Sequence, residues 1–309
     1  MVHLRLLVPA DLAPVIVERL RTTPGVAHVV HITDVVSWPP GHLVLCDVAR
    51  EAANDIVEWL QDEGVHHSGA ITVGTLEVAV SDAAARAEAL APGHGADALV
   101  WEEVESRART ESRLTASYLV FISIAAVIAG VGILLDAPIL IVGAMVVGPE
   151  YGPLAAACVA LARRRWSAAS VAAATLGIGL AVAAAASFVA TLAFRGTGLA
   201  PDHYDLSDRQ LTAFISHPDG MAAVVAILAG VVGMLALTQA RSGSLIGVLV
   251  SVTTIPAVAN VGVATAYGAW GEVVGATQQL AINVAGLILA GVITLVVQSR
   301  ATARRTVRA

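Results

Sequence analysis

The chain has 309 residues, of which 57% are hydrophobic and only 14% charged, whereas an ordinary soluble domain carries about 25% charged residues. Residues 1–105 hold sixteen acidic side chains against five arginines, while residues 106–309 hold eight against thirteen. An acidic first third followed by a long apolar remainder excludes a single soluble globule, and no basic cluster interleaved with aromatics marks a nucleic-acid partner.

The start of the chain, Met1 to Pro9, lacks the basic segment and long apolar run of a signal peptide, so the N-terminus is expected in the cytoplasm. Leu4–Val8 reads as a strand, and Asp11 is placed to cap a helix over 12–22. The turn Thr23-Pro24-Gly25 leads into a strand over Val26–Thr33. His42–Val48 is a third strand, followed by a helix near 50–63 that stops at Gly64. Residues 70–80 supply the last strand or pair of strands. The order β-α-β-β-α-β predicts a ferredoxin-like α+β sandwich over residues 1–82. The segment Leu20 to Val29 resembles the helix-to-strand turn of ACT-type regulatory domains, which implies a small ligand such as an amino acid, or pairing with a second copy. Seven of the nine histidines lie in residues 1–94. His28 and His31, three apart on a strand, point to opposite faces. His66-His67 falls in an expected loop with no ligand spacing around it, so no metal or cofactor is expected. Cys46 and Cys158 stand far apart and imply no disulfide framework.

Residues 83–113 read as a linker and juxtamembrane helix. Six apolar stretches follow, at about 114–135, 138–162, 166–194, 220–240, 243–267 and 273–298, each near the roughly 20 residues a helix needs to cross a bilayer. Eleven arginines fall before the first, after the second, after the fourth and in the tail 299–309; Arg195 and Arg209 alone fall on the other side. The positive-inside rule therefore expects a multi-pass protein of the bacterial inner membrane with both termini in the cytoplasm.

Two of these stretches carry breaks. The second contains Gly148-Pro149-Glu150-Tyr151-Gly152-Pro153, and the fifth contains Thr253-Thr254-Ile255-Pro256 with Asn260 beyond. Proline removes a backbone donor and clashes with the preceding turn. Interrupted backbone at membrane depth is tolerated only where protein buries it or water lines it. Spans one to three and four to six thus lay over each other as an expected 3+3 inverted repeat, the pattern of many secondary transporters. The segment Gly143 to Pro153, with Thr254-Ile255-Pro256 and Asn283 to Gly291, resembles the bacterial and archaeal hydrophobic membrane proteins of domain of unknown function 389, over about residues 110–298. Many members read Ser-Pro-Leu-Met-Gly-Pro where this chain has Gly148 and Glu150. The resemblance implies a membrane location and no activity.

Glu150 is the sharpest single feature, because a carboxylate at the bilayer centre costs about 2.5–3.5 kcal/mol and so does not face lipid. It is expected near mid-membrane as a proton- or cation-coupling residue, with Tyr151, Thr253, Thr254, Asn260 and Asn283 around it; interhelical hydrogen bonding is the plainer role for the two asparagines. Gly148, Pro149, Gly152, Pro153 and Pro256 are expected to break the helices. No nucleophile, zincin or paired-carboxylate motif is present, so an enzyme is not expected. These features predict a transporter or channel-like carrier of an unidentified small solute, regulated by the N-terminal domain. The alternative is a membrane-anchored ligand sensor or scaffold. Abundant Gly and Ala in the spans and the ACT-like segment both point to a homo-oligomer.

Overall fold

The structure is a computed structural model, and it describes residues 1–38, 40–76, 81–91, 100–201, 211–212, 215–217, 219–238 and 254–306. These form two compact units, one of Met1–Val104 with Val297–Ala309 and one of Glu105–Val296.

In the first unit, β1 (Val2–Val8), α1 (Ala13–Thr22), β2 (Val26–Ser37), β3 (Pro40–Val48), α2 (Arg50–Asp62), α3 (Val65–Ser68) and β4 (Ala70–Thr75) follow one another. The sheet order is β2-β3-β1-β4, with β1 antiparallel to both β3 and β4, and β2 antiparallel to β3. Alternation decides the faces. Val2, Leu4, Leu6 and Val8 of β1 and Val44, Cys46 and Val48 of β3 are buried against Ile16 and Leu20 of α1 and Ile56, Val57 and Leu60 of α2. Fully burying each such side chain contributes about 1.5–3 kcal/mol.

Three local expectations are corrected here. Asp11 does not cap α1: Leu12 is the cap residue and makes no side-chain bond, and proline in the first turn starts the helix instead. β2 runs on to Ser37, because bulges between Ala27 and Val30 and between Ile32 and Val36 absorb irregular residues without ending the ladder. His66 and His67 lie in the short helix α3, entered through Gly64 at φ +76°, where glycine carries no Cβ penalty. The C-terminal half of the expected last strand, 77–80, lies outside the described residues. Helices α4 (Asp82–Leu90) and α5 (Trp101–Glu111) follow, and Ser81 caps α4 by accepting from the amides of Ala83 and Ala84.

The second unit holds α6 (Ala116–Leu134), α7 (Pro138–Val147), α8 (Tyr151–Ala162), α9 (Trp166–Gly196), α10 (Gly220–Thr238), α11 (Thr254–Tyr267) and most of α12 (Trp270–Thr306). Among the described residues, four helices are long and apolar enough to cross a membrane: α6, α9, α10 and α12. The α7–α8 pair makes a fifth if its two arms, bent by 55°, count as one. The chain thus has the make-up of a membrane protein. The first part of the expected fifth span lies outside the described residues, and α11 is its remainder. Most of the expected acidic outer loop falls outside them as well.

Helix directions follow from side-chain meetings. Tyr118 of α6 lies against Gly179 of α9, and Gly130 against Ser187, so these two run parallel. The Ser187 hydroxyl donates to the Ala259 carbonyl at 2.9 Å, and Arg195 donates to the Ala266 carbonyl, so α11 runs parallel to α9 too. The turn Arg163–Arg165, with Arg164 at φ +56°, folds α9 back along α8. Hence α8 and α11 point in opposite directions.

Candidate functional site: two half-helices meeting at Glu150

Both half-helices are wrapped on every side. In α8 each residue from Tyr151 to Ala160 is buried, and in α11 each from Thr254 to Asn260. Ordinary amphipathic helices keep one face outward; two short helices buried all round form the centre of the unit. Small residues permit this. A Cβ added at Gly262 would press on the Ala184 carbonyl and come within 2.8 Å of the Phe188 amide nitrogen.

The chain leaves the helix at Gly148, whose ψ of 130° is extended, and re-enters after Glu150. Pro153 is the third residue of α8 and Pro256 the third described residue of α11. In a first turn the missing N–H costs nothing, because it has no intrahelical partner in any case. The start of α8 and the first described residue of α11 then meet through side chains. The Thr254 hydroxyl donates to Glu150 Oε1 at 3.0 Å. Glu150 is 1% exposed, and its Oε2 has no hydrogen-bond partner among the described residues. Gly148 is required here: a Cβ would run into Glu150 Oε2 and lie 2.7 Å from Ile255 Cγ1.

Only part of the expected constellation assembles. Thr254 reaches Glu150; Thr253 lies outside the described residues. Tyr151 does not reach it, because its hydroxyl donates instead to the Gly233 carbonyl of α10 at 2.6 Å. Asn260 is buried six residues along α11, about 9 Å from Thr254 at 1.5 Å per residue. Asn283 belongs to α12, where it accepts from Gln279 of the same helix at 3.3 Å. Gly148 and Pro149 occupy the break itself, and Gly152 fits closely beneath the Glu111 carbonyl.

Glu150 can be placed along α6. Val263 of α11 meets Gly130 of α6. Nine residues earlier in each of these parallel helices, Thr254 comes level with Phe121, in the first third of α6. The carboxylate is therefore level with the first third of α6, on the arginine-rich side of that helix's midpoint. Counting residues from the proline could not show this, because α7 is only ten residues long. Ser187 was missed by sequence reasoning, since a serine within an Ala-rich helix reads as packing.

Residues 145–289 match the family model described as Domain of unknown function (DUF389). This stretch belongs to the DUF389 family. It takes in the second half of α7, the break, α8 to α11 and half of α12, so both half-helices of the site lie inside the DUF389 region. No curated protein and no solved structure matches the chain.

A second polar cluster lies on the sheet of the first unit. Asp47 accepts from His3 at 2.8 Å and His28 at 2.9 Å, and His28 also meets Ser81 at 2.8 Å. His28 has φ +51° at the first bulge of β2, a conformation few non-glycine residues adopt. Burial acts to raise the Asp47 carboxyl, but the hydrogen bonds and charges of the two histidines outweigh it and hold the group below the usual range. His31 instead meets His42 at 2.9 Å, away from Asp47. Burial, with Asp47 beside it, pushes the Cys46 thiol up to about 12.

Proposed function

We propose that the chain is a membrane carrier of a small solute, with the meeting point of α8 and α11 as its occluded site. The observation that carries this reading is the Thr254–Glu150 contact between two antiparallel, fully enclosed half-helices. Opposed half-helices with facing N-termini are what an inverted repeat sets at a transport site. A lone buried carboxylate there is suited to carry a proton or to balance a cation. In this reading there are six spans in two inverted triplets, and both termini lie on the cytoplasmic side of a bacterial inner membrane. The first unit, with its split β-α-β connectivity, is a ferredoxin-like, ACT-like regulatory domain that binds a small ligand, and the assembled protein is a homo-oligomer. The absence of any nucleotide-binding loop in the sequence favours a gradient as the driving force.

The test is solute uptake into proteoliposomes, screened with radiolabelled amino acids and inorganic ions under an imposed proton gradient. Glu150→Gln is expected to abolish gradient-driven uptake. Full and pH-independent uptake by that variant would remove Glu150 from the mechanism.

One observation favours a sensor or scaffold instead: no room exists for a Cβ between Gly148, Glu150 and Ile255, which is the packing of a static core. Infrared difference spectra between wild type and Glu150→Gln separate the readings. At a pH low enough to protonate Glu150, a carboxyl band that shifts within seconds in D₂O indicates water access and transport, and one that stays fixed for hours indicates the scaffold.

A further inference from the structure

Within the second unit, the end of α5, the second half of α8 and the first half of α9 enclose a groove of about 220 Å³. Its floor is made of small side chains, including Ala156 of α8 and Ala168 of α9, so a trough remains where larger residues would close it. Arg109 of α5, Ser112 just beyond it and Arg165 just before α9 line it as well.

The charges in this groove do not cancel. Glu105 accepts from Arg163 at 3.0 Å and from Arg165, so one carboxylate serves two guanidiniums. Arg109 is exposed and makes no ion pair among the described residues. Two guanidiniums, Arg109 and Arg165, therefore line the groove beside one carboxylate that Arg163 also shares from outside it, and the groove attracts an anion with more than one oxygen, which a guanidinium fork grips in two places.

The surroundings identify the rest of the ligand. Val171 lines the groove and is 66% exposed, and Trp166, one turn towards the start of α9, is 70% exposed. α9 is apolar enough to cross a membrane. An exposed tryptophan at the start of such a helix, next to a group of arginines, marks a headgroup level. We propose that this groove binds an anionic phospholipid, with its phosphate between Arg109 and Arg165 and one acyl chain along Ala168 and Val171. A zwitterionic lipid presents an ammonium to the same arginines and is disfavoured.

The full chain is purified in neutral detergent. Its thermal unfolding midpoint is read with phosphatidylglycerol or phosphatidylcholine of equal chain length, and bound lipids are counted by native mass spectrometry. Phosphatidylglycerol is expected to raise the midpoint by on the order of 5 °C more than phosphatidylcholine, and to remain bound. Arg109→Gln removes an exposed, unpaired guanidinium. Ala168→Phe fills the trough with every arginine kept. Each is expected to lose the excess shift while its midpoint in phosphatidylcholine stays at the wild-type value. Equal shifts from both lipids overturn the proposal, as does an excess shift that survives either substitution. A shift of the same size from glycerol phosphate alone also overturns it, because the groove would then be a site for a soluble phosphate.

Discussion

Replacing Thr254 with valine keeps the shape of the side chain and removes the one side-chain donor that Glu150 has from another residue among those described. Thr254 is fully buried and Glu150 is 1% exposed, so neither group regains water in the folded state. A hydrogen bond to a charged group contributes about 1.5–3 kcal/mol, against about 1 kcal/mol for a neutral pair. Thr254→Val is therefore expected to destabilise the protein by about 2 kcal/mol, while Thr254→Ser, which keeps the hydroxyl, costs less. With glutamine at 150, the same valine substitution should cost only about 1 kcal/mol, leaving a coupling of about 1 kcal/mol in the double-mutant cycle. The assay is reversible unfolding in mixed micelles at increasing SDS fraction, followed by tryptophan fluorescence, for wild type, both single variants and the double variant. Additivity within about 0.3–0.5 kcal/mol would show that the two side chains do not sense each other, and the contact would then join nothing.

Gly262→Ala is expected to cost about 1–3 kcal/mol by forcing α9 and α11 apart, whereas Gly143→Ala, with open space at its Cβ, should be neutral or stabilising by up to about 1 kcal/mol; the same unfolding assay compares them. Asp47 is held below the usual carboxylate range by His3 and His28, so its contribution to stability is complete above the unfolded value of about 3.9 and is lost as pH falls through the folded value. Amide exchange across β1 and β3, corrected for intrinsic rates, should accordingly accelerate at acid pH more in wild type than in Asp47→Asn, and equal acceleration would refute the pairing. Cys46, buried and with its thiol near 12, should resist iodoacetamide at pH 8 in the folded protein and react once unfolded, because only the thiolate attacks; mass spectrometry reads the modification.

How much of this was legible in the sequence depends on the range of the interaction involved. The β-α-β-β-α-β order follows from local patterns such as the alternation in Leu4–Val8 and the stop at Gly64, and the structure has the same order of elements. Long apolar runs read as helices for an equally local reason, since a membrane-length stretch carries its own signal. The run from Gly148 to Pro153 reads as an interruption because glycine and proline act on their own backbone, and the non-helical residues are Gly148 to Glu150. Partners are a different matter. Tyr151 stands next to Glu150 in sequence, yet its hydroxyl bonds α10, because successive residues at a helix start point about 100° apart. His28 finds Asp47 only because a bulge turns it at positive φ, and no propensity encodes that. The depth of Glu150 depends on where α6 and α11 overlap, which is set by Gly130 and Val263, two residues that carry no polar signal at all.

The identity of the residues flanking Glu150 explains why its carboxylate reaches across rather than back. An acidic residue at the N-cap normally accepts from the amide of the second or third helical residue and stabilises its own helix. Here the third residue is Pro153, which has no amide hydrogen, and Glu150 makes no capping bond to α8. α11 carries its own proline, Pro256, as its third described residue. The N-terminus of α8 still carries about half a positive charge from its peptide dipoles, which partly balances the carboxylate. Pro153 thus removes one of the two local targets, Gly148 leaves the space beside the carboxylate, and Thr254 supplies a side-chain donor on the facing helix. Two residues of the break, Gly148 and Pro153, thus leave the charge to meet Thr254 of the facing helix, and this is why a change at either should be felt at α11 as well as along α8.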